Sequence, residues 1–441
     1  MYPWFAIPTP GQPVNLASTN NPPAPLRYLT SLTERRMVKR YRSHQNAIRA
    51  STKPPFRLDY FHQMDDPHSY LVALALRQIE TAYPVDVRSH LVSPPDKMNA
   101  PEPNLLREYA LRDAGQIAPH YGLTMDTREA SATEIERCEV ELSSVPRDQF
   151  LDKAISFGAL LETPKTTVAT RAEVPATRAG NKLRQRLGHF SSATVCFEGN
   201  WYWGLDRLYL LETLLCELCD RTTNSLLFPR PTETGPEDAS KLSLEIFPSL
   251  RSPYTAIGFD RAVALAKSTR VQLRIRPVLP MVMRGVPATM TKGRYIMTDA
   301  AREADAYGIP FGDIYDPIGA PVQRAYSLYP WARSMNREIE FLSSFLVNAF
   351  SRGVNAANNH GLRQIVEFAG LSWSEGKKHL NTNQWVAEVE ENQRVLVNEL
   401  GLWGVPSFRL RDAEGNILCT WGQDRIWLVA AEMKRLMGQY I

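Results

Sequence analysis

Two stretches of the chain open with the same rhythm of apolar and polar positions. The run Phe56–Met64 is extended and largely apolar, as is Leu242–Leu250, and each reads as a buried strand. An X-Pro step follows, and then apolar residues at helical spacing: Tyr70, Leu71, Leu74, Ala75 and Ile79 in the first, Ala256, Phe259, Val263 and Ala266 in the second. Proline suits the first helical turn, where its missing amide would be unpaired anyway. Second strands are predicted at Val85–Val92 and Val271–Leu279. Strand, helix and strand within about 35 residues make a βαβ unit, so part of each sheet should be parallel. Three-to-four spacing predicts helices over Asn336–Ser351, His360–Ala369 and Thr382–Leu400. Two short strands close each stretch, Ser192–Glu198 with Asn200–Trp203 and Ser407–Arg411 with Ile417–Trp421. A last helix follows, Leu205–Arg221 or Arg425–Tyr440.

The shared rhythm is a repeat. Leu58-Asp-Tyr-Phe aligns with Leu244-Glu-Ile-Phe at an offset of 186 residues. The same register puts Asp66-Pro67-His68-Ser69 on Ser252-Pro253-Tyr254-Thr255. It also puts Tyr109 on Tyr295, Asp113 on Asp299, and Tyr121-Gly122-Leu123 on Tyr307-Gly308-Ile309. Trp203-Gly204-Leu205-Asp206-Arg207 then matches Trp421-Gly422-Gln423-Asp424-Arg425 at offset 218. The second copy thus carries about 32 extra residues between landmarks. The expected organisation is an arm at 1–55, one domain at 56–225 and a second at 240–441, against a prior from length of about three domains.

Composition narrows the classes. With 44% hydrophobic and 22% charged residues the chain can build packed cores. No run approaches the roughly 18 apolar residues of a membrane span. The start, Met1-Tyr-Pro-Trp-Phe-Ala-Ile-Pro, lacks a secretory pattern, so the cytoplasm is the expected compartment. The net charge of +4 is concentrated between Leu26 and Ala50, where seven Arg and Lys face Glu34 alone. The rest is slightly acidic, which argues against nucleic acid as a partner. Leu29, Leu32, Met37 and Tyr41 give this segment an amphipathic helical pattern: a solvated basic arm, or one lying on an anionic membrane surface. Residues 1–25, rich in Pro, Asn, Thr and Ser, read as disordered. Five scattered cysteines are not a disulfide framework. Cys216-Glu-Leu-Cys219 falls inside the predicted last helix of the first copy, away from the terminal amides that activate a redox cysteine, and lacks two further zinc ligands.

Four motifs in order, Ser252-Pro253-Tyr254, Arg276-Pro277-Val278-Leu279-Pro280 with Lys292-Gly-Arg-Tyr295, Gly404-Val405-Pro406-Ser407-Phe408 and Trp421-Gly422-Gln423-Asp424-Arg425, resemble the kappa-class glutathione transferases and 2-hydroxychromene-2-carboxylate isomerases. The resemblance covers 56–225 and 240–441. It implies an α/β chain of two tandem thioredoxin-like domains of DsbA type, each with a helical insertion, behind a basic N-terminal helical arm. It also implies glutathione as cofactor, a small and aromatic-derived or ring-opened electrophile as partner, and a transferase or isomerase reaction.

Residue chemistry fits this in part. A helix N-terminus stabilises an anion. Disulfide oxidoreductases place Cys-x-x-Cys there, whereas neither Ser252-Pro-Tyr-Thr255 nor Asp66-Pro-His-Ser69 has a sulfur, so this position cannot exchange disulfides. The Ser252 hydroxyl can instead donate to the thiolate of bound glutathione, or simply cap its helix. If Val405-Pro406 is cis, as the resemblance implies, the Val405 amide and carbonyl can pair with a peptide-like ligand; otherwise Pro406 is an ordinary loop proline. Asp424 would accept the γ-glutamyl ammonium with Gln423 assisting, or compensate a helix dipole. Lys292 would meet a ligand carboxylate or stay solvated. The counterparts in the first copy are Asp66, whose charge would repel a thiolate, Ala193 in place of Pro406, and Asp206. That copy therefore reads as degenerate, packed on the second as one subunit of a dimer packs on another, with self-association of the whole chain also compatible. His68 suggests acid–base chemistry only weakly. No metal site is expected. The remaining readings are a non-catalytic thioredoxin-fold binding module and a DsbA-like disulfide oxidoreductase, the latter opposed by the missing cysteines.

Overall fold

A computed structural model describes residues 42–162, 173–221, 226–286 and 288–439. They divide into two compact units, Ser43–Pro231 and Thr232–Ile441. The basic arm lies outside the described residues except for its end, where 42–51 are helical. No helix among the described residues is long and apolar enough to cross a membrane.

The N-terminal unit runs β1 (Phe56–His62), α1 (Pro67–Ala82), β2 (Val85–Leu91), α2 (Pro103–Ile117), β3 (Thr127–Ala130), α3 (Ala132–Ser144), α4 (Phe150–Ser156), β4 (Ala159–Glu162), α5 (Pro175–Leu187), β5 (Thr194–Phe197), β6 (Asn200–Trp203) and α6 (Leu208–Leu218). Its main sheet has the order β2-β1-β5-β6, with β1 and β2 parallel and the other pairs antiparallel.

The C-terminal unit runs β7 (Ser243–Phe247), α7 (Pro253–Thr269), β8 (Gln272–Ile275), α8 (Met290–Ala306), α9 (Ala320–Ser334), α10 (Glu338–Ser351), α11 (Asn359–Phe368), α12 (Trp373–Gly376), α13 (Val386–Arg394), β9 (Ser407–Arg411), β10 (Ile417–Trp421) and α14 (Ile426–Leu436). Its sheet, β8-β7-β9-β10, repeats the order and the senses of the first.

Three expectations need correction. The insertion of the N-terminal unit is not purely helical, because β3 and β4 form a separate parallel pair. The strand expected to reach Leu250 stops at Phe247, where Pro248 has no amide to donate. The helix expected from Thr382 starts at Val386 and closes with a π turn over Val395–Glu399.

The fully buried Leu58, Tyr60 and Phe61 of β1, and Leu244, Ile246 and Phe247 of β7, centre the two cores. One acid interrupts each central strand at the same repeat position. Asp59 meets His90 Nε2 at 2.8 Å. Glu245, 2% exposed, accepts from Arg276 Nε at 2.5 Å and from Arg409 Nε. Arg409 stands directly opposite Glu245 on β9. A buried carboxylate persists where matched cations satisfy it.

The stretch 226–239, left between the expected domains, is divided between the units. Glu212 accepts from the amides of Leu227 and Phe228 at 2.9 and 2.7 Å. Glu233 receives Arg261 Nε at 3.1 Å.

Candidate active site

Sequence and local geometry agree on how α7 begins. Ser252 is its N-cap, with extended backbone and an Oγ that accepts the Thr255 amide at 3.1 Å, and Pro253 fills the first turn. The same Oγ donates to the Val405 carbonyl at 3.2 Å. The Val405-Pro406 bond is cis. Among the described residues the Val405 amide has no hydrogen-bond acceptor. The structure thus brings Ser252 and Val405 together across 153 residues of chain.

The loop carrying Val405 is held on both sides. Gly422 donates to the Pro406 carbonyl at 2.9 Å, tying the turn that contains Asp424 to the C-terminal side of Val405. On the other side Arg284 Nη2 donates to the Trp403 carbonyl at 2.6 Å. Trp403 packs on Trp421 with centroids 4.8 Å apart. A Cβ on Gly404 would lie 1.8 Å from the Trp421 indole. Gly404→Ala is therefore expected to cost about 1–3 kcal/mol in urea unfolding, because a methyl must displace a packed ring.

The other expected site residues differ in their surroundings. Asp424 is one-quarter exposed beside the Gly422 turn, 3.9 Å from Arg425 Nη1. Gln423 is not free to assist it. At 1% exposure its amide turns inward, donating to Glu303 at 2.9 Å and accepting from Arg261 Nη1. The expected ligand role of Gln423 is thus replaced by a structural one. Lys292 lies in the first turn of α8, half-buried, and desolvation pulls its ammonium down to about 8.

Tyr254, next but one to Ser252, donates to the buried Asp299 at 2.8 Å. His68, 186 residues before Tyr254 in the chain, meets the buried Asp113 at 3.4 Å in the N-terminal unit. The histidine joins α1 to α2 as the tyrosine joins α7 to α8.

In the N-terminal unit the corresponding place is filled. Asp66 caps α1, accepting the His68 amide at 3.1 Å, and its other oxygen takes the hydroxyls of Ser69 and Ser192 at 2.8 and 2.9 Å. Ala193, at left-handed φ 54°, donates its amide to Ser69 Oγ at 3.1 Å. Gly204 donates to the Ala193 carbonyl at 2.8 Å, just as Gly422 does to Pro406, with Asp206 in the turn that follows. Cys216 and Cys219 sit in the last turn and at the C-cap of α6, which ends earlier than expected, and burial pushes the Cys219 thiol up.

Residues 243–434 match the family model of the DSBA-like thioredoxin domain, and the C-terminal unit carries that mixed α/β fold. Among solved structures, a 2-hydroxychromene-2-carboxylate isomerase is similar at 19% identity, over 44% of this chain and 96% of its own, with a TM-score of 0.38. A probable DsbA oxidoreductase from Streptomyces coelicolor is similar at 19% identity, over 45% and 92%, with a TM-score of 0.37. The cytosolic disulfide reductase DsbM from Pseudomonas aeruginosa is similar at 18% identity, over 44% and 99%, with a TM-score of 0.33. No curated protein matches the chain.

Proposed function

We propose that the C-terminal unit binds glutathione at the head of α7 and presents its thiolate to a small electrophile, as a transferase or an isomerase. The observation that carries this reading is the Ser252 hydroxyl, placed at a helix N-terminus and against the Val405 carbonyl where no protein thiol exists. On binding, the hydroxyl turns its proton from Val405 to the sulfur. The Val405 carbonyl and amide then pair with the cysteinyl main chain of the ligand. The helix terminus and the hydroxyl together favour the anionic sulfur.

In a transfer reaction the thiolate displaces a leaving group and a thioether forms. In an isomerisation it adds to a conjugated carbon, the double bond becomes single and rotates, and the same thiolate leaves. Neither route changes an oxidation state overall. Asp424 would receive the γ-glutamyl ammonium and Lys292 a carboxylate. With the ammonium drawn down to about 8, Lys292 would take up a proton on pairing when the pH exceeds that value. A reducing compartment suits this chemistry and the five cysteines, none of which is in a disulfide.

We read the chain as a tandem duplication in which the first copy is structural. Asp66 supplies an internal anion that occupies the donors a ligand would need. Full-length protein is expected to bind one glutathione per chain by calorimetry and to be retained on immobilised glutathione. Absence of binding would favour the non-catalytic module instead. Asp66→Ala should cost about 1–3 kcal/mol of stability by leaving buried donors unmatched, yet leave glutathione affinity unaltered.

A further inference from the structure

Arg284 is a cation without a counter-charge beside the proposed groove. Its Nη2 donates to the Trp403 carbonyl at 2.6 Å, its Nε is buried with no hydrogen-bond partner, and among the described residues it forms no ion pair with a carboxylate. Two other arginines of this unit do have an acid: Arg251 meets Asp316 at 2.7 Å, and Arg276 meets Glu245. A guanidinium held partly out of water is costly unless an anion completes it. Burial draws Arg284 down to about 10, which reflects that cost while leaving the group charged at neutral pH.

Position says which anion fits. A tripeptide paired through its central residue with Val405 extends along the loop in both directions, by about 3.3 Å per residue. One end runs toward Pro406, Gly422 and Asp424, where an ammonium is matched. The opposite end runs toward Gly404 and Trp403, and there the guanidinium is fixed. We infer that Arg284 receives the carboxylate at the glycine end of glutathione, a role that rests on the glutathione reading above. Arginine suits this task because its planar donors match a carboxylate.

The test compares glutathione with γ-glutamylcysteine, which lacks the glycine, on full-length protein by calorimetry. Wild type should prefer glutathione. Arg284→Met should weaken glutathione about tenfold, the loss of one charge-assisted hydrogen bond, and leave γ-glutamylcysteine little changed. Arg284→Lys should recover part of the loss. Near-ultraviolet circular dichroism of the Trp403–Trp421 pair checks that the loop keeps its packing. If the methionine variant loses both ligands equally, Arg284 only supports the loop and the inference fails. It fails equally if neither affinity moves. If wild type binds neither ligand, the glutathione reading itself falls, and with it this role.

Discussion

Replacing Ser252 with alanine is expected to raise the thiol pKa of bound glutathione by about one to two units, since a hydrogen bond to a charged group contributes about 1.5–3 kcal/mol. Titration of the ultraviolet thiolate band of the complex reads this directly. With chlorodinitrobenzene as electrophile, kcat/KM at neutral pH should fall about 10²–10³-fold, the usual consequence of losing one preorganised donor at a developing or reacting anion. The variant also loses the cap on α7, at a cost of about 1 kcal/mol. That loss lowers the thermal midpoint but cannot by itself move the sulfur's pKa. Ser252→Thr, which keeps a hydroxyl and a cap, should restore most of the shift. An alanine variant whose bound thiol titrates as in wild type would remove Ser252 from the chemistry.

Glu245→Gln is expected to destabilise the protein by about 3–5 kcal/mol in urea unfolding, the cost of leaving buried cations unpaired. Glu245 serves Arg276 and Arg409 at once, and Arg411 stands 3.8 Å away. Burial pushes its carboxyl up, but hydrogen bonds from Arg409 and Arg276 outweigh this and hold it below the ordinary glutamate range. A carboxyl lowered in the folded state contributes stability that is present above its unfolded value and lost as pH falls through the folded one. Wild type should therefore lose stability below about pH 4.5, and the glutamine variant should lack this component of its acid sensitivity. A variant as stable as wild type would mean that water or rearranged arginines replace the carboxylate at no cost.

Much of the architecture could be read in advance because it depends on near neighbours. Ser407–Arg411 and Ile417–Trp421 are strands with the bounds their alternation gives, and Pro253 and Ser252 mark the start of α7. Residues aligned at the offset of 186 make corresponding contacts in the two units: Asp59 and Glu245 each meet a basic partner, and His68 and Tyr254 each meet a buried aspartate. What stayed hidden depends on distant partners or weak local pattern. Thr127–Ala130 is four residues long and mostly exposed, so it carries no apolar alternation. Helix α9 contains Pro330, a residue that interrupts the helical hydrogen-bond ladder. Gln423 looks like a surface polar residue until Arg261 and Glu303, 162 and 120 residues away, arrive at its two ends. Arg284 has no motif at all; only the Trp403 carbonyl reveals it.

The contact between Ser252 and Val405 commits the single proton of the alcohol to the carbonyl. A guest must trade rather than fill. A simple thiolate that captured the alcohol's proton would take a hydrogen bond from the carbonyl, whereas a ligand that also brings an amide would give one back. If the proposed function holds, a molecule bearing both groups at the right separation makes the fuller exchange and should be preferred over small thiols.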